Sequence, residues 1–100
     1  IVDDEVDTGG SISQAVNLAR EYGAANIYVV FVHPVLSGEA ANKLANLPVT
    51  EFITTDTIPV PAAKLALFNG RMTILSIAPL LGEVIQRANE GRSVGELFNE

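Results

Sequence analysis

The densest chemistry in the sequence lies in Asp3-Asp4-Glu5-Val6-Asp7-Thr8-Gly9-Gly10-Ser11. Two glycines let a backbone come close to a ligand and adopt positive φ. Their N–H groups, the hydroxyls of Thr8 and Ser11 and a following helix N-terminus favour a phosphate. Asp3, Asp4 and Asp7 suit the opposite partners, sugar hydroxyls or a hard cation such as Mg²⁺. A phosphate cradle at one end and carboxylates at the other fit a sugar phosphate. The same residues also suit a solvated acidic turn before a capped helix. Neither G-x-x-x-x-G-K-[ST] nor G-x-G-x-x-G occurs in the sequence.

The elements around this loop read as a parallel α/β chain. Ile1-Val2 reads as the end of a buried strand, so the chain is expected to begin partway through a larger domain. The acidic loop follows from Asp3. Ile12, Ala15, Val16 and Ala19 then form one helical face. Ser11 with Gln14 reads as a capping box and Gly23 as the stop. Ile27 to Val32 is apolar on both alternations, as in a strand covered on both faces. His33-Pro34 ends it. A short helix carries Ala40, Ala41, Leu44 and Ala45 and closes at Leu47-Pro48.

Glu51 to Thr55 reads as a strand, and Asp56 to Pro61 as a loop punctuated by Pro59 and Pro61. Arg71 to Ser76 reads as the last strand. Pro79 opens a long helix with a buried stripe of Leu81, Val84, Ile85 and Ala88. Gly91 stops it. Ser93 with Glu96 reads as a second capping box, starting a short helix through Phe98. Strand–helix alternation implies a parallel sheet with right-handed crossovers. Ligands of such sheets bind at the carboxyl ends of strands, where the acidic-glycine loop lies.

Composition excludes several classes. The chain has 100 residues, 48% hydrophobic and 18% charged, with a net charge of -6. Its charged share falls below the usual quarter or so, so some surface is expected to be covered by other protein. The apolar run 27–32 is far short of the roughly 18 residues of a membrane span. Six basic residues against twelve acidic ones leave no nucleic-acid footprint. The opening Ile1-Val2-Asp3-Asp4 has no Met and no basic n-region, and no signal peptide is expected. Without cysteine there is no disulfide frame and no thiolate site.

Asp3-Asp4-x-x-Asp7-Thr8-Gly9-Gly10-Ser11 after apolar residues resembles the PRPP-binding motif of the type I phosphoribosyltransferase fold. That motif covers both the transferases and the PRPP synthetases (ribose-phosphate pyrophosphokinases). His33-Pro34-Val35-Leu36-Ser37-Gly38-x-Ala40 is similar to a segment of the synthetases. So are Thr55-Asp56-Thr57-Ile58-Pro59, Ala78-Pro79-Leu80-Leu81 and Ser93-Val94-x-x-Leu97-Phe98.

The resemblance implies a partial, three-layer, phosphoribosyltransferase-like (Rossmann-like) domain. Residues 1–100 would be the C-terminal part of that domain in a synthetase. The family's enzyme makes PRPP and AMP from ATP and ribose 5-phosphate with Mg²⁺, in the cytoplasm, as homo-oligomers that are commonly hexamers. By position, Asp7, Thr8, Gly9, Gly10 and Ser11 would hold the 5-phosphate. Asp3 and Asp4 would take ribose hydroxyls, directly or through the metal. Ser93 and Phe98 would contribute to an allosteric phosphate or ADP site. The family's nucleotide site, basic catalytic loop, pyrophosphate loop and metal-binding His all lie upstream. No catalytic residue is therefore expected in this segment, and alone it should make no PRPP.

The resemblance has departures. The synthetases usually carry Ala at Gly9 and Thr at Ser11, and Gly95 and Glu96 also differ from the commoner residues. A salvage phosphoribosyltransferase and a noncatalytic synthetase-associated regulatory subunit are the alternatives. His33 and Asp56 are expected to orient or stabilise structure. Arg71, Arg87 and Arg92 are assigned to solvent or interface, and Phe31, Phe52 and Phe68 to the core.

Overall fold

The structure, a computed structural model, describes residues 1–98. Asn99 and Glu100, the end of the expected 1–100 domain, lie outside the described residues. Four strands, β1 (Val2–Val6), β2 (Tyr28–Pro34), β3 (Glu51–Thr55) and β4 (Met72–Leu75), pair in the order β1-β2-β3-β4. Every pairing is parallel. Between and after them run α1 (Gly10–Glu21), α2 (Ala40–Ala45), α3 (Ala62–Ala66) and α4 (Ala78–Glu90), then a 3₁₀ turn over Gly95–Phe98. The expected α/β class and parallel sheet are present.

One face of the sheet carries the core. Val29 and Phe31 of β2, Phe52 of β3 and Met72 of β4 pack with Ile12 and Val16 of α1, Leu44 of α2 and Phe68 after α3. All three expected core phenylalanines are buried. Phe52 and Phe68 meet edge to face, with centroids 5.1 Å apart, a favoured aromatic geometry. The α1–α3 layer covers this face only. On the other alternation, Tyr28 and Val32 remain 48% and 41% exposed. The reading of 27–32 as covered on both faces is therefore corrected: within this chain one alternation is buried. The described residues supply the sheet and one helical layer of the three expected.

Other expectations shift as well. The first strand continues through the acids to Val6, because its ladder with β2 runs on through Asp3↔Phe31, Glu5↔His33 and Val6↔Pro34. Carboxylates tolerate this edge strand because their side chains stay in water, and Val2 is itself 83% exposed. The stripe of α4 is not buried: Leu81 is 50% and Ile85 69% exposed, and the helix has no buried residue. α3 was not expected. Five residues after a Pro-rich loop are too few for a periodic signal.

Candidate functional site

The carboxyl end of β1 turns into α1 through Asp7, Thr8 and Gly9. Gly9 caps the helix with φ 84, a left-handed conformation that costs a side chain dearly. It is also buried, and a Cβ there would lie 3.4 Å from Leu44 Cδ2. The loop is thus seated on α2. The helix starts at Gly10, so the expected capping box at Ser11 is absent, and Ser11 lies exposed in the first turn. Left-handed Gly9 completes the turn before Ser11 is reached. The first helical bond runs from Ser13 N–H to Gly9 O at 3.0 Å, reinforced by Ser13 Oγ at 2.7 Å. The N–H groups of Gly10, Ser11 and Ile12 precede that bond and have no acceptor within the helix.

These amides open on a cleft of ≈ 280 Å³ lined by the continuous run 3–12. All seven expected substrate-binding residues, Asp3, Asp4, Asp7, Thr8, Gly9, Gly10 and Ser11, line it. The acids hold one another in order. Asp3 Oδ1 accepts the Asp4 N–H at 2.8 Å, and Asp4 Oδ1 accepts the Glu5 N–H at 2.9 Å. Hydrogen bonding with the Asp3 side chain, then backbone N–H bonds, hold the Asp4 carboxyl below the usual aspartate range, with His33 adding a small attraction. The cleft lining has no Lys or Arg, although the aliphatic stem of Lys43 runs beside Gly9.

The second loop on this edge touches the first. Leu36 N–H donates to Val6 O at 2.9 Å and Ser37 N–H to Asp7 O at 3.0 Å. Ser37 Oγ also donates to Asp7 Oδ1. Sequence reasoning quotes Ser37 only within the His33–Ala40 resemblance and gives it no site role, because this contact spans thirty positions.

His33 and Asp56 make contacts between loops at this edge. His33 Nδ1 lies 2.8 Å from Thr57 Oγ1, which fastens the β3–α3 loop to the end of β2. Asp56 Oδ1 accepts the N–H of Ile77 at 2.9 Å, just before α4. Both contacts tie neighbouring loops together.

Two arginines differ from the expectation of solvent or interface. Arg71 donates to Val49 O at 2.8 Å, to Leu47 O at 3.3 Å and to Ala45 O. It caps the carbonyls that follow α2, which attract a cation. Arg87 pairs with Glu83 and Glu96, both at 2.9 Å, and donates to Ser93 O at 3.0 Å. Because Glu96 pairs with Arg87, the second capping box does not form. Ser93 and Phe98 are both exposed beyond α4.

The profile of the phosphoribosyl synthetase-associated domain matches residues 1–99. The chain belongs to this family. A ribose-phosphate pyrophosphokinase of Oceanobacillus iheyensis is 43% identical over 99 residues, which cover 99% of this chain and 30% of that protein. One of Streptomyces avermitilis is 43% identical over 100 residues, again 30% of its length. The crystal structure of phosphoribosylpyrophosphate synthetase from Mycobacterium smegmatis superposes with a TM-score of 0.82 at 42% identity, covering 90% of this chain and 29% of that one. This synthetase-associated domain thus spans about 30% of the length of its relatives.

Proposed function

We propose that this chain is the ribose 5-phosphate-binding part of a ribose-phosphate diphosphokinase, an enzyme that transfers pyrophosphate from ATP to ribose 5-phosphate. The observation that carries this reading is the cleft itself. Left-handed Gly9 starts α1 at Gly10, whose first amides lack acceptors within the helix, and these residues share one cleft with Asp3-Asp4. The 5-phosphate sits on the loop Asp7, Thr8, Gly9, Gly10 and Ser11, and the ribose hydroxyls donate to Asp3 and Asp4. Neutral amides and hydroxyls bind the phosphate with no cationic side chain in the lining, as helix N-termini do.

The donor set also fits Mg²⁺. No cluster of three or more metal-ligating side chains occurs among the described residues. Mg²⁺ is bound through one or two carboxylates plus substrate oxygens and water, a set that Asp3 and Asp4 on the cleft lining fit. The ion supplies charge neutralisation when bound. The chain's own contribution is orientation: a sugar held at both ends presents its anomeric hydroxyl in a fixed direction. That hydroxyl attacks the β-phosphorus of ATP and gives its proton to solvent; its oxygen–phosphorus bond forms as the bond from the β-phosphorus to the α–β bridging oxygen breaks, and AMP leaves carrying that oxygen. Positioning and charge stabilisation dominate such transfers. The ATP site belongs to the remainder of a full-length enzyme, which is cytoplasmic and homo-oligomeric in this reading. Ser93 and Phe98 are proposed to border its effector site for phosphate or ADP.

The test is an AMP-release assay on the full polypeptide with the Asp3→Asn/Asp4→Asn double variant. Two lost carboxylate acceptors predict a drop of about 100-fold in kcat/KM for ribose 5-phosphate, with KM for ATP little changed. Consumption of PRPP with a nucleobase and no AMP would instead identify a salvage transferase. Binding without turnover would identify the regulatory subunit.

A further inference from the structure

The acid at Asp7 poses a problem for a phosphate loop. A carboxylate repels a phosphate, yet Asp7 opens the run that cradles it. Its contacts resolve this. Ser37 donates its N–H to Asp7 O and its hydroxyl to Asp7 Oδ1, so Asp7 is gripped at both main chain and side chain from the β2–α2 loop.

That loop is itself held under strain. Leu36 is a buried non-glycine residue at φ 47, a conformation that persists only where its surroundings impose it. Its N–H donates to Val6 O. Its carbonyl accepts Lys64 Nζ of α3 at 2.7 Å. Lys64, Leu36, Ser37 and Asp7 thus form a continuous brace from α3 to the cleft. Strain of this kind beside a site is a hallmark of preorganisation.

We propose that Ser37 is a positioning residue for sugar-phosphate binding. It engages Asp7 Oδ1 in a hydrogen bond that offsets part of the carboxylate charge at the cleft, and it fixes the amides of Gly9 to Ser11 before the ligand arrives. The inference rests on the ribose 5-phosphate reading and deepens it. Ser37 acts through Asp7 and does not line the cleft. Its loss therefore weakens binding of the sugar phosphate while leaving the nucleotide and the chemical step alone.

The experiment compares wild type, Ser37→Ala and Ser37→Thr in the full polypeptide. It uses steady-state kinetics, direct titration with ribose 5-phosphate and a thermal melt. A charge-assisted hydrogen bond predicts a rise of about tenfold in KM for ribose 5-phosphate in Ser37→Ala. KM for ATP and kcat should stay within about twofold. Ser37→Thr, which keeps the hydroxyl, should restore KM.

The inference is overturned by an unchanged KM in Ser37→Ala. It is equally overturned if kcat falls and both KM values rise together with a lowered melting temperature, or if Ser37→Thr matches Ser37→Ala. Wild type that binds ribose 5-phosphate while Ser37→Ala binds it equally defeats this inference alone. Wild type that does not bind defeats the site reading as well.

Discussion

Gly9 joins local geometry to ligand chemistry within one residue. Its φ of 84 sets where α1 begins, and its missing side chain lets the loop rest on Leu44. Gly9→Val puts a β-branched side chain in the left-handed region, which predicts a loss of about 2 kcal/mol. Urea unfolding measures this, and the variant should also lose affinity for ribose 5-phosphate. The acidic-glycine run was legible in the sequence because its residues are neighbours: seven site positions fall within the single stretch that lines the cleft. The start of α1 was not. Ser11 and Gln14 have the capping spacing, but which of the two glycines takes the positive φ, and so where the helix starts, is settled only by the fold. The site role of Ser37 was missed for a related reason, since its partner Asp7 is remote in sequence and close only once β1 and β2 pair.

At the scale of elements, the strands and the long helices were legible from periodicity, and β3 matched at both ends. Two failures have physical causes. α3 is shorter than the period that would reveal it. The acids of β1 mask a strand that is defined by backbone pairing rather than by burial. Arg71 shows what pattern reading leaves out. One guanidinium gathers three carbonyls after α2 and lies 5.9 Å from the Phe52 ring centroid. Arg71→Ala leaves partly buried carbonyls unpaired and predicts about 2 kcal/mol of destabilisation. A denaturant midpoint that falls with an unchanged m-value would confirm it. An unchanged midpoint would reduce the clamp to a surface contact.

At the scale of the whole molecule, the low charged share now has a location. Tyr28 and Val32 on the open sheet face, with Leu81 and Ile85 on α4, are exposed apolar residues of the kind a larger assembly covers. The two-layer arrangement places the cleft at the carboxyl edge of a sheet whose second face is exposed among the described residues. The matched relatives are about three times longer. In the proposed reading the ATP site belongs to that remainder, so this chain alone should release no AMP from ATP and ribose 5-phosphate; sustained turnover by the isolated chain would contradict the division of labour. In the proposed reading the acidic-glycine cleft binds a sugar phosphate. The most direct test is a titration of the folded chain with ribose 5-phosphate and Mg²⁺ while following backbone amide resonances. Saturable shifts centred on Thr8, Gly9, Gly10 and Ser11, with Asp3 and Asp4 responding, are predicted. A folded sample in which those amides do not move would contradict the account.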